Sequence, residues 1–227
     1  MLKALIPVRS GSQRVKNKNI RDFAGSNLLQ LKINQLKQIE GIDEICINSD
    51  SEEMLEIALN SGVTAILRDP AYATNDVSMN DVYENLALNM DCDHVLYTNV
   101  TSPLVKNETY EKCIKIYKNL ENYDSLNTVT LLKENLWLNG KPINYDPDFH
   151  PRSQDLPDVV YLNFAINIIS RKTMIERRNI VGKKFSPYCL DEIESIDIDT
   201  PLDFKIAEII YRERNENGKK IKNCGIY

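Results

Sequence analysis

The chain has 227 residues, with 28 Lys and Arg against 33 Asp and Glu, for a formal net charge of −5. That length suits one large domain with a substantial core, and the acidic balance argues against a nucleic-acid partner, since such partners meet a face of spread positive charge. Five cysteines (Cys46, Cys92, Cys113, Cys189 and Cys224) are odd in number and lack C-x-x-C spacing, so neither a disulfide framework nor a zinc site is predicted. MLKALIPVRS is too short for a signal peptide and no run approaches the ~18 apolar residues of a membrane span, so the expected setting is the cytoplasm, away from membranes.

In chain order, LKALIP (2–7) reads as a buried strand. Leu28, Leu29, Leu31, Leu36 and Ile39 at helical spacing predict a helix over 28–39, and EICIN (44–48) a second strand. A helix over 52–61 closed by Gly62, a strand over 64–67, a helix over 78–90 and a strand over 94–99 continue the alternation. Strands separated by helices imply an α/β fold: a mainly parallel sheet with helices on both faces, its ligands at the carboxyl ends of the strands. After a helix over 108–120 the rhythm changes, because VTLLKENLWLNGKPINY carries Asn139-Gly140, a type I′ hairpin signal. Residues 126–167 are therefore expected to be strand-rich, with a protruding β-hairpin. NYDPDFHPRSQDLPD reads as a loop and VVYLNFAINII as a long buried strand. SIDID reads as an alternating strand, followed by Thr200 as N-cap, Pro201 in the first turn, and an amphipathic helix to about residue 214. The polar tail from Asn215 is expected to fray. The whole of 1–227 reads as a single domain, with about 126–165 as a hairpin subregion.

Two constellations carry chemistry. Arg9, Arg14, Lys16, Lys18 and Arg21 put five cations and no acid into thirteen positions directly after the first strand. Ser10, Gly11 and Ser12 between them let backbone N–H groups approach an oxygen-rich ligand, and a di- or triphosphate would match. Neither the Walker nor the Rossmann glycine pattern is present, and a solvated charged loop is the alternative. In SIDIDTP, Asp197 and Asp199 would share one face of a strand at about 6.6 Å. Same-face carboxylates suit Mg²⁺, which takes a few carboxylates plus ligand oxygens, although polar edge residues or first-turn acids would read the same way. A metal pair beside a phosphate loop is what phosphoryl chemistry needs.

IPVRSGSQRVKNKNI, followed in order by INSDSEE, RDPAYA, TSPL, QDLP and SIDIDTPLD, resembles the CMP-sugar cytidylyltransferases of the acylneuraminate type across nearly the whole chain. The resemblance implies a Rossmann-like nucleotidyltransferase fold that pairs as a homodimer through the 126–165 region. It implies transfer of CMP from CTP to an acidic sugar, with release of pyrophosphate. Nucleotide contacts are then expected from Arg9, Ser12, Lys18 and Asn19, beside Ser10 and Gly11, and from Arg68. Asp197 and Asp199 match the family's metal pair and, with Arg9 and Lys18, are the expected catalytic set. Departures fall mostly on the acceptor side. Gln13 stands where a lysine is common in the loop, NVTSPLV has Asn99 and Val105, and in YLNFAINII Tyr161, Phe164 and Asn167 replace an arginine, a glycine and a tyrosine. The expected acceptor is a nonulosonic acid of the sialic-acid kind. An octulosonic acid or a phosphonate or phosphate ester is the alternative, and an inactive nucleotide-binding regulator a further one. Acceptor contacts are expected from Asn99, Arg152, Gln154 and Asn163, assisted by Lys133 or Lys141, and Trp137 is expected in a subunit interface. His94 and His150 have no partners at metal spacing, and Cys189 has no basic neighbour to make it a nucleophile.

Overall fold

The computed structural model describes the backbone of residues 1–223 and the side chains of residues 1–215. Seven strands form one sheet: β1 (Leu2–Pro7), β2 (Glu44–Ser49), β3 (Thr64–Leu67), β4 (His94–Tyr97), β5 (Ser125–Leu132), β6 (Val159–Ser170) and β7 (Phe185–Cys189). Their spatial order is β7-β5-β6-β4-β1-β2-β3. β1 pairs in parallel with β2 and β4, β2 with β3, and β7 with β5, while β6 runs antiparallel to both β4 and β5. The helices are α1 (Leu28–Leu36), α2 (Glu52–Asn60), α3 (Met79–Leu88), α4 (Asn107–Lys118), α5 (Arg171–Arg177) and α6 (Pro201–Asn223).

The strands are apolar on both sides because both sides are covered. In β1, Ala4 and Ile6 join one core with Leu29 and Ile33 of α1, Tyr110 of α4 and Phe204 of α6, whereas Leu5 between them joins a second core with Leu86 of α3 and Met174 of α5. Period-two alternation thus feeds two cores, each buried large side chain contributing roughly 1.5–3 kcal/mol. Chain order reverses between β1 and β4: the chain leaves β1 for β2 and β3 on one side, then returns to place β4 on the other. That is the switch point at which a doubly wound sheet opens a crevice at its carboxyl edge.

Four expectations need correction. SIDID is not a strand; it is an extended loop whose only alternation is burial, with Ile198 fully buried between the half-exposed Asp197 and Asp199. Its backbone meets no strand edge and donates instead from Ile198 N to Thr101 O, at 2.9 Å. VVYLNFAINII is long but not continuous: its register shifts between Leu162 and Asn167, and Val160 and Tyr161 are exposed. Helix α5 and strand β7 lie in a stretch where the pattern predicted no element, and β7, with Pro187 inside it, is an edge strand that can spare a donor. Helix α6 continues to Asn223, past the end expected near 214, through a stretch, NENGKKIKN, whose asparagines and glycine are poor helix formers and hid the continuation. Cys224 lies outside the described residues.

Beyond β5, residues 133–158 form an arm in which Trp137–Leu138 pairs antiparallel with Lys141–Pro142. Asn139 and Gly140 take φ of +50° and +75°, the left-handed pair a type I′ turn demands. Since β5 runs parallel with β1, the arm leaves the sheet at the edge that carries the basic loop.

Candidate active site

The basic loop turns away from β1 beside the loop that follows β4. Between them lies a cavity of about 390 Å³ lined by residues that include Arg9, Ser12, Arg14, Lys18, Asn19, Asn99 and Thr101. A second cavity of about 310 Å³ shares Pro7 and Arg9 with the first and is lined also by Arg68, Tyr72 and Asn75. Gly11 has φ of +76°, which lets the loop turn back over the strand end without a strained side chain. The loop is braced from within. Asn19 is buried and its amide donates to Arg9 O at 3.1 Å, while the Arg9 guanidinium donates to Ala73 O and Asn75 Oδ1, both at 2.8 Å. Ser10 spends its backbone N–H and its hydroxyl on Asp50 of the INSDSEE segment, so it anchors the loop rather than offering donors to the cavity. Arg68 is buried against Asn48, donating to its side-chain oxygen at 2.6 Å and to its carbonyl at 3.0 Å. Burial lowers the pKa of Arg68, an effect opposed by Tyr97 and Asp50.

Asp197 and Asp199 come from the far end of the sheet to the cations of this cavity, Asp199 meeting Arg14 and Lys18, although neither acid is among the residues that line it. The chain leaves edge strand β7, crosses back beneath the β4 loop, and is held there by Ile198 N on Thr101 O and by Lys18 Nζ on Ile198 O at 2.5 Å. Glu194 fixes the crossing: its buried carboxylate accepts from Lys106 N and Thr109 Oγ1, both at 2.7 Å, and so caps helix α4, whose own N-cap residue supplies no side-chain bond. Arg14 meets Asp199 Oδ1 at 2.8 Å, and Lys18 lies 3.8 Å from the same oxygen. Lys18 is pushed down by burial, with Asp197 and Asp199 holding it up. Asp197 is pushed up, first by burial and then by the charges of Asp199 and Asp203, against the Thr101 hydroxyl and Lys18. Among the described residues, Asp197 Oδ1 is buried with no hydrogen-bond partner. A carboxylate held this way is short of positive charge, and a divalent cation would supply it. No group of three or more His, Cys, Asp or Glu that could hold a metal occurs among the described residues. A cation on this pair would therefore complete its shell with ligand oxygens and water, which is the habit of Mg²⁺.

A cationic loop at the switch point of the sheet, a pair of acids brought to it from another strand, and a second cavity alongside are the layout of a nucleotide-transfer site. The cytidylyltransferase family model matches residues 3–150. The chain belongs to the cytidylyltransferase family. Among its relatives are the pseudaminic acid cytidylyltransferase of Campylobacter jejuni, 31% identical with 94% of this chain and 97% of that protein covered, and the CMP-N,N'-diacetyllegionaminic acid synthase of Legionella pneumophila, 30% identical over 90% and 94%. The fold is similar to that of a CMP:2-keto-3-deoxy-manno-octonic acid synthetase complexed with CTP, with a TM-score of 0.70 at 13% identity, covering 94% of this chain and 99% of that one.

In this cytidylyltransferase the residues expected on the acceptor side do not gather at the cavity. Asn99 lines it and donates to Phe164 O at 3.4 Å. Asn163 does not: its amide is used on Thr128 and Thr130 side chains and the Ala165 N–H, where it stitches the irregular part of β6. Arg152 and Gln154 sit on an exposed single turn of the arm, Arg152 paired with Asp155 at 2.9 Å, and neither lines the cavity over the basic loop. Lys133 is tied to Leu156 O and Asp158, and Lys141 lies in the arm's hairpin. Phe164 takes φ of +56°, where glycine is at ease, and its ring packs against the second core. Asn167 is buried and donates to Phe164 O at 3.0 Å. Two contributors were not singled out from sequence. Arg14 was only one of five cations until the fold set it on Asp199, and Thr101, within TSPL, had no visible partner before the chain crossed beneath it.

Proposed function

We propose that the chain moves CMP from CTP to a hydroxyl of an acidic sugar of the nonulosonic-acid kind, releasing pyrophosphate. The observation that carries this is the pairing of Asp199, next but one to Asp197, with Arg14 and Lys18 of the cavity over the glycine-bearing loop, in a member of the cytidylyltransferase family. The relatives' acceptors, pseudaminic and legionaminic acids among them, support an acidic nonulosonate.

Ser12, Lys18 and the turn at Gly11 receive the triphosphate, with Arg9 between the two cavities and Arg68 beside the nucleoside. Asp197 and Asp199 would hold Mg²⁺, which when bound supplies positive charge to the phosphate oxygens. The acceptor hydroxyl attacks the α-phosphorus, its proton passing to water, and the bond to the oxygen bridging the α- and β-phosphates breaks. Lys18 and Arg14 face the charge that gathers on the departing pyrophosphate, and the protein's contribution is positioning and neutralisation rather than covalent chemistry.

The chain works as a single domain that pairs as a homodimer, with the arm laid over the partner's acceptor site. This is supported by Trp137, Leu138, Ile143 and Phe149, which are 56%, 60%, 58% and 84% exposed on a segment too apolar to stand alone in water. It also accounts for Arg152 and Gln154, which do not line their own chain's cavity and are assigned to the partner's acceptor. Among the described residues no helix is long and apolar enough to cross a membrane. The test is pyrophosphate release with CTP, Mg²⁺ and, in turn, pseudaminic, legionaminic, N-acetylneuraminic and octulosonic acids. Turnover with a nonulosonic acid is expected. Turnover with the octulosonic acid alone, or with none of the four, refutes the assignment.

A further inference from the structure

Among the described residues Lys32 is the one buried lysine, and the nucleotide site does not explain it. It sits on α1, 2% exposed, on the inner wall of a cavity of about 620 Å³ away from the basic loop. Its Nζ donates to three acceptors: Gln35 Oε1 and Ser102 O at 3.0 Å, and the Tyr110 hydroxyl at 2.8 Å. Three protons meet three partners. From the Tyr110 hydroxyl the chain of bonds runs on to Thr98 Oγ1 at 2.8 Å, and from there to Ala165 O at 2.7 Å. Thr98 and Ser102 bracket the segment that carries Asn99 and Thr101 into the active cavity, and Thr101 O accepts from Ile198 N, between the two site aspartates.

We propose that Lys32 is a positioning residue for the transfer reaction: by holding Ser102 O directly and Thr98 through Tyr110, it sets the loop on which Asp197 and Asp199 are hung. The role rests on the function proposed above. An isolated buried ammonium is costly, and an apolar side chain of the same length would fill the space at no such cost, so a purely packing role does not account for a lysine here. Burial pushes Lys32 down to about 7. An ammonium offers a proton to each of the three acceptors, whereas a neutral amine would offer two, enough for Ser102 O and the Tyr110 hydroxyl, which would leave the link to Thr98 in place and Gln35 Oε1 without its donor. The titratable groups nearest it are Tyr110 beside it and Lys106, Glu108, Tyr211 and Arg214 around the same cavity.

Lys32→Met keeps the length and removes every bond, and Tyr110→Phe keeps the ring and removes the link to Thr98. Both are measured for kcat and KM with CTP and Mg²⁺, for melting temperature, and for amide hydrogen exchange, the last without substrates. Since displacements of about 1 Å in a catalytic constellation cost on the order of 10²-fold, kcat in Lys32→Met is expected to fall at least ~10-fold with KM for CTP within ~3-fold. Tyr110→Phe is expected to show a smaller fall of the same kind. Exchange should quicken in 98–103 and 196–199 and not in the sheet, with the melting temperature held or raised. Unchanged exchange in those segments, unchanged kcat, or a kcat loss matched by loss of folded protein in both variants overturns the role of Lys32. A parent chain that releases no pyrophosphate with any of the acids overturns instead the function on which the role rests.

Discussion

Asp199→Asn separates the charge of the acid pair from its shape. Asparagine keeps an oxygen where Arg14 now donates at 2.8 Å, so the loop and the crossing segment keep their contact. What disappears is one negative charge, 46% exposed, that faces Arg14 and Lys18 on one side and Asp197 on the other. An exposed ion pair contributes about 0–1 kcal/mol, and here the loss is offset by relief of repulsion with Asp197, so stability should move by no more than ~1 kcal/mol, or about 2–4 °C. Catalysis should respond on another scale. If the acid pair holds the cation that neutralises the leaving pyrophosphate, removing half of its charge resembles the loss of an oxyanion-stabilising group, worth roughly 2.7–4 kcal/mol, or about 10²–10³-fold in kcat. Loop cations still receive the triphosphate in the ground state, so KM for CTP at saturating Mg²⁺ should change little. The assay is steady-state pyrophosphate release over a CTP series, beside a melting curve of each protein. A kcat within ~3-fold of the parent would refute the role given to Asp199, and a parallel collapse of melting temperature would show the acid to be structural.

The arm offers a second measurement: sedimentation across the assay concentrations should give the dimer mass, Trp137→Ser should shift it toward the monomer, and a monomer at every concentration would end the shared-site arrangement. A third concerns pH. Lys32 falls from 10.5 to about 7 in the folded chain, so between those values the unfolded chain holds the extra proton and the stability owed to this group rises with pH. Urea unfolding from pH 6.5 to 9 should therefore show the parent gaining on Lys32→Met by as much as ~1.4 kcal/mol per pH unit above about 7, and a flat difference would mean that the lysine titrates normally.

Much of this protein was legible in one dimension because its signals are local. A strand buried on both faces must be an unbroken apolar run, as LKALIP is, and a hairpin that needs two left-handed residues must carry a pair such as Asn139-Gly140. The basic loop was likewise visible, since its cations and Gly11 are neighbours in sequence, and its place at the carboxyl end of β1 followed from the alternation of strands and helices. Tertiary structure decided what depends on segments far apart. Asp197 and Asp199 alternate like a strand, yet their segment joins no sheet edge; Ile198 N on Thr101 O and Lys18 Nζ on Ile198 O hold it as a loop instead. Ser10 and Asn163 have the chemistry of ligand contacts, but hydrogen bonds must be satisfied where a side chain is buried, and the fold used theirs on Asp50 and on the irregular β6. Nothing in the sequence singles out Lys32 within the helix predicted over 28–39. Only the packing of α1 against α4 and the β4 loop, which supply the Tyr110 hydroxyl and Ser102 O as acceptors beside Gln35 of α1 itself, turned it inward.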